Sequence, residues 1–103
     1  MASTRVHVIV FLRAPDGDRS VIERTYRQIS WAREEIAGLL RSELLSDTED
    51  PDGFALLSEW ESLAAFREWQ LGPDHRDNPS ALRPYQDRSR GKHYVVYEMS
   101  SGA

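Results

Sequence analysis

Between Phe54 and His75 the chain places two indoles (Trp60 and Trp69), a phenyl ring (Phe66) and an imidazole (His75) in one short stretch. Rings of this kind can wall a pocket for a flat, apolar ligand, and an imidazole, which titrates near neutrality, can serve as a base at its rim. Core packing is the competing use of aromatics at helical spacing, and a loop histidine can serve a purely local hydrogen bond. Tyr26 and Tyr85 are candidate donors to an oxyanion, or else core tyrosines with satisfied hydroxyls. Arg83 is a candidate counter-charge for an anionic substrate, or else a solvated surface arginine. His7, His75 and His93 are far apart with no paired-ligand spacing, and cysteine is absent. No metal site and no thiolate chemistry is therefore expected.

The elements that position these groups follow from periodicity. Val6 to Leu12 alternates, with Val6, Val8, Val10 and Leu12 on one face and His7, Ile9 and Phe11 on the other. Its β-branched richness predicts a strand buried on both sides, with His7 near solvent at one end. Ala14 to Asp18 reads as a turn. Ser20-Val21-Ile22-Glu23 matches a capping box, and Ile22, Tyr26, Ile29 and Ile36 then fall in one helical stripe. Trp31 lies opposite that stripe, where it meets a partner subunit, covers a pocket mouth or marks a bend. Gly38 ends the helix and opens a strand, Leu39 to Ser46, with Leu40 and Leu44 on one face and Leu39, Arg41, Glu43 and Leu45 on the other.

The acidic connection Asp47 to Gly53 reads as a solvated hairpin turn, since its carboxylate spacing is not that of a calcium loop. The strand Phe54 to Trp60 follows. Ser62 is a candidate N-cap for a helix Leu63 to Leu71, in which Leu63, Phe66 and Trp69 share a face, and Gly72 suits a left-handed stop before Pro73. His75 to Asp87 is rich in Pro and Arg, with a short helical turn expected at Ser80 to Leu82. Lys92 to Met99 is the last strand, with Tyr94, Val96 and Glu98 on one face.

Strand, helix, strand, strand, helix, strand predicts an α+β, ferredoxin-like βαββαβ fold, an antiparallel sheet with two helices on one face. At 103 residues a single domain spanning 1–103 is expected. The sheet's second face is also apolar, which predicts a sheet-to-sheet homodimer. Net charge is −4 with basic and acidic residues interspersed, which disfavours nucleic-acid binding. The apolar run at the N-terminus ends in Arg13 without a basic leader and reads as a strand, and no run is long enough to span a bilayer. A cytoplasmic protein with no membrane partner is expected.

The run Trp60-Glu-Ser-Leu-Ala-Ala-Phe66, then Trp69 and Gly72-Pro-Asp-His75, resembles the antibiotic biosynthesis monooxygenase family, as do Gly38 and the Asp50-Pro51-Asp52 hairpin. The resemblance implies a dimeric α+β barrel with a pocket in each subunit between the sheet and its two helices. Members that oxygenate aromatic polyketides without metal or flavin carry a Trp matching Trp60, an Asn four residues before it and a Tyr six after. This chain has Leu56 and Phe66 there. Haem-degrading members carry an Asn on the first strand, a Trp matching Trp69 and a His ten residues later, where this chain has Pro79. The implied function is a cofactor-independent monooxygenase-like enzyme acting on a hydrophobic polycyclic or polyketide-type metabolite. The alternatives are a cofactor-free cyclase and a non-catalytic dimeric binding protein. His75 and Tyr26 would carry the chemistry, with Trp60, Phe66, Trp69, Tyr85 and Arg83 holding the substrate.

Overall fold

The computed structural model describes residues 4–30, 36–72, 82–89, 91–92 and 94–101. Its elements are β1 (Val6–Arg13), α1 (Arg19–Ser30), β2 (Leu39–Ser46), β3 (Gly53–Trp60), α2 (Leu63–Leu71) and β4 (Tyr94–Glu98), with 3-10 turns at Pro15–Gly17 and Arg83–Tyr85. The four strands form one sheet in the order β2-β3-β1-β4, and the pairs β1–β3, β1–β4 and β2–β3 are antiparallel. This is the ferredoxin-like α+β arrangement that the element order predicts.

Register assigns every strand residue to a face. Val6 pairs with Trp60, Val8 with Ser58, Val10 with Leu56 and Leu12 with Phe54. These residues form the inner face, on which both helices lie: Ile22 of α1 packs with Leu12 and Phe54, and Phe66 of α2 packs with Val6, Val8 and Trp60. His7, Ile9 and Phe11 point to the outer face. They are half-buried, whereas Val6, Val8 and Leu12 on the inner face are buried and Val10 is half-buried, so β1 is not buried on both sides within the chain. On β2 the expected face assignment shifts at one end. Pairing passes from Leu39–Trp60 to Arg41–Glu59, which makes Leu40 the extra residue of a β-bulge. Leu39 therefore joins the inner core beside Trp60, and Leu40 is left 45% exposed.

Local chemistry accounts for the helix ends. α1 begins one residue before Ser20, and the capping group is Asp18, whose Oδ1 accepts from the Ser20 N–H at 3.1 Å and the Ser20 hydroxyl at 2.6 Å. These bonds hold the Asp18 carboxyl below its ordinary pKa. α2 begins as expected, with Ser62 Oγ accepting from the Ala65 N–H at 3.1 Å. Gly72 closes α2 in extended backbone (φ −75°) and not in the left-handed region. Gly38 is the position that does need glycine. Its φ is +85°, and a Cβ there would stand 2.5 Å from the Ala65 Cβ. The expected turn at Ser80 to Leu82 falls partly outside the described residues; a 3-10 turn forms at Arg83–Tyr85, where Pro84 needs no N–H partner. Trp31, His75 and His93 also lie outside the described residues.

Candidate functional site between the two core clusters

The inner-face core divides in two. One cluster, Leu12, Ala14, Ile22, Phe54 and Leu82, packs under α1 and is flanked by Tyr26, Leu44, Leu56 and Tyr85. The other, Val6, Val8, Trp60 and Phe66, packs under α2 and is flanked by Leu39, Trp69, Tyr94 and Val96. Val10 touches both. Between them the central inner-face positions Val10, Leu56 and Ser58 are only half-buried, although Val8, Leu12, Phe54 and Trp60 beside them on the same two strands are buried. Core positions on central strands are normally closed over. Here burial falls off in the middle of the inner face, at two apolar residues and one serine that lie between the aromatic side chains of the two clusters.

The candidate residues of the sequence divide between the two walls. Trp60 ends β3 at 2% exposure, with its ring centroid 5.5 Å from Phe66 and 5.4 Å from Trp69. Phe66 and Trp69 lie side by side on α2 at 6.4 Å. Trp60 and Phe66 are buried against one another, while Trp69 remains half-buried at the margin. Tyr26 stands on the opposite wall, half-buried on α1, and its hydroxyl donates to the Ser42 carbonyl oxygen at 3.0 Å. It can donate to an oxyanion only by exchanging that bond. Tyr85 flanks the same cluster as Tyr26, and Arg83 is exposed beside it on the 3-10 turn. The fold thus brings Trp60, Phe66 and Trp69 together on one side and Tyr26 and Tyr85 on the other.

Two polar groups on this face were not singled out by sequence. Ser58 and its cross-strand partner Ser42 are both half-buried, and Ser58 Oγ accepts from the Trp60 indole N–H at 3.0 Å. The available signal was parity, because Ser58 falls in register with Phe54, Leu56 and Trp60 on an otherwise apolar face.

The outer face has different chemistry. Glu59, 7% exposed, accepts from Arg5 at 3.3 Å and forms an ion pair with Arg41 Nε at 3.1 Å, with His7 Nε2 3.6 Å away. At the hairpin end, Arg13 bonds Asp50 at 2.6 Å and lies 3.8 Å from Asp87. The Asp52 N–H and then Arg13 hold the Asp50 carboxyl below its ordinary pKa. An open cleft of about 270 Å³ lies here among Phe11, Leu45, Asp50 and Ala55, and a groove of about 370 Å³ follows β4 past Arg67 and Lys92. Neither is lined by Trp60, Phe66, Trp69, Tyr26 or Tyr85. Among the described residues no group of His, Asp or Glu is arranged to hold a metal ion, and no helix is long and apolar enough to cross a membrane.

Comparison with known proteins agrees with this architecture. Protein SchA of Streptomyces halstedii is 28% identical over 93% of the chain, and a 42.8 kDa protein in the whiE locus of Streptomyces coelicolor is 27% identical over 96%. The chain spans only about a quarter of the length of either relative. Among solved structures, a heme-degrading protein of Mycobacterium tuberculosis superposes with a TM-score of 0.72 at 22% identity, covering 98% of this chain and 97% of its own. SnoaB, a cofactor-independent oxygenase of Streptomyces nogalater, superposes at 0.73 with 16% identity over the same shares. At these identities the likeness is one of fold. The family pattern described as antibiotic biosynthesis monooxygenase matches residues 5–78, and the chain belongs to that family.

Proposed function

We propose that this chain is a cofactor-independent monooxygenase-like enzyme acting on a hydrophobic polycyclic or polyketide-type metabolite, held between the two core clusters. The observation that carries this reading is the half-buried floor at Val10, Leu56 and Ser58, walled by Trp69 on one side and Tyr26 on the other. Membership of the antibiotic biosynthesis monooxygenase family and likeness in fold to a cofactor-independent oxygenase support the reaction class. The reaction is oxidation of an activated methylene to a carbonyl. A base, assigned to His75, removes one proton, and the carbanion combines with dioxygen to give a peroxide. Loss of the second C–H proton breaks the O–O bond, leaving a carbonyl and hydroxide, which the first proton converts to water. One methylene and one dioxygen thus give one carbonyl and one water. Aromatic walls exclude bulk water, and a neighbouring donor stabilises the oxyanion. The half-exposed apolar outer face supports the further reading of a sheet-to-sheet homodimer, which sedimentation at micromolar concentration tests.

A second reading, a cofactor-free cyclase that acts by preorganising its substrate, is favoured by the apolar residues Leu56 and Phe66 on the inner face. Oxygen dependence separates the two. With an anthrone as substrate, the oxygenase reading predicts consumption of one dioxygen per carbonyl formed, above the rate of uncatalysed autoxidation. His75→Ala should lower that rate substantially at an unchanged melting temperature. No enzyme-dependent dioxygen uptake with any anthrone tested would contradict it.

A further inference from the structure

We propose that the Ser58 hydroxyl, held by Trp60 and set beside Ser42, is the ligand-binding donor of the opening between the clusters, and that it takes a carbonyl or phenolate oxygen on a flat apolar body. This rests on placing the ligand site on the inner face, as in the function proposed above.

The geometry follows from the strand. Residues 56, 58 and 60 share the inner face at a repeat of ~7 Å, so the only side-chain hydroxyl of β3 on that face lies between Leu56 and Trp60. The Trp60 N–H is a donor only, and it points at Ser58 Oγ at 3.0 Å. That bond occupies a lone pair of the hydroxyl and leaves its proton to be donated elsewhere. Among the described residues no acceptor takes it. The neighbours of the hydroxyl across β1 and along β3, Val8 and Leu56, are apolar, so in a desolvated complex the proton is left to a ligand oxygen or to the Ser42 hydroxyl opposite.

Ser42 faces Ser58 across the β2–β3 pair, and its carbonyl oxygen is bonded by Tyr26. Directly opposed side chains in such a pair have Cβ atoms ~5 Å apart, so a second hydroxyl stands within reach of the same ligand oxygen. A polar strip formed by Tyr26, Ser42, Ser58 and the Trp60 N–H therefore crosses an apolar face from α1 to the end of β3. A neutral hydroxyl donor anchored by an indole orients an acceptor oxygen; it does not attract a cation, and it has nothing to offer a hydrocarbon.

Equilibrium binding of two probes tests this without turnover: 1-hydroxyanthraquinone, which carries acceptor oxygens, and anthracene, which carries none. Wild type is expected to bind the quinone more tightly. Ser58→Ala should weaken the quinone about three- to tenfold, the worth of one neutral hydrogen bond, and leave anthracene within twofold. Ser58→Thr, well suited to a strand, should restore the quinone affinity. In the wild type the Trp60 indole N–H resonance should move further with the quinone than with anthracene, a difference that should vanish in Ser58→Ala and that a merely structural serine would not give. Equal quinone affinity in wild type and Ser58→Ala, parallel loss for both probes, or failure of wild type to bind the quinone would each overturn the inference. A chain that binds with this serine dependence but consumes no dioxygen keeps the inference and loses the oxygenase reading. A chain that consumes dioxygen without serine dependence does the reverse.

Discussion

Glu59 and Trp60 are neighbours in sequence and are both buried, at 7% and 2% exposure, for opposite reasons. Trp60 faces inward, where two other rings and the β1 valines cover it. Glu59 faces outward, where two guanidinium groups and an imidazole surround its carboxylate. The inner face loses stability mainly through cavities, whereas the outer face loses it through unpaired charge. Burial alone therefore does not locate a site. The inner face is distinguished by where burial lapses, at Val10, Leu56 and Ser58, with a neutral polar pair left in the lapse.

Substitutions on the two faces sharpen the contrast. Trp60→Ala should have the largest effect, a loss of about 3–5 kcal/mol in urea unfolding, because a fully buried aromatic leaves a cavity that its neighbours cannot fill. Gly38→Ala should cost about 1–3 kcal/mol, because it forces a side chain into left-handed backbone and against Ala65. If that variant is as stable as wild type, the close approach of α2 to the start of β2 is misplaced. Glu59→Gln should cost about 1 kcal/mol, since both arginines are more than half exposed and water takes over part of their solvation. A loss as large as that of Trp60→Ala would mean that the outer face is covered far more deeply than the single chain implies.

The smallest effect concerns acid. Asp50 has a folded pKa below its ordinary 3.8, so its contribution is present above that value and is lost as pH falls through the lower folded value. Asp50→Asn should therefore lower the melting temperature slightly at neutral pH. It should also flatten the acid limb below about pH 4. An unchanged acid limb would leave the Arg13 contact without energetic weight.

Much of this contrast was legible in the sequence, because alternation is local. The face assignments of β1 and β4 and the span of α2 with its Ser62 cap follow from spacing alone. What escaped depends on partners distant in the chain. The bulge at Leu40 appears only once β2 is paired with β3, and it moves Leu39 to the inner face. Burial of Glu59 requires Arg41 and His7 to arrive from two other strands. Asp18 displaced Ser20 as the cap because its carboxylate takes both the N–H and the hydroxyl of Ser20, which moves the cap two residues earlier. The division of the core into two clusters depends on where two helices rest on the sheet, which no periodicity encodes.

The central claim is that ligand enters the lapse in the inner face and not the cleft at the hairpin. Chemical-shift mapping of isotope-labelled protein titrated with 1-hydroxyanthraquinone tests it most directly. The account predicts perturbations at Val10, Leu56 and Ser58 and at the indole N–H of Trp60. Perturbations confined to Phe11, Leu45, Asp50 and Ala55 on the outer face would contradict it.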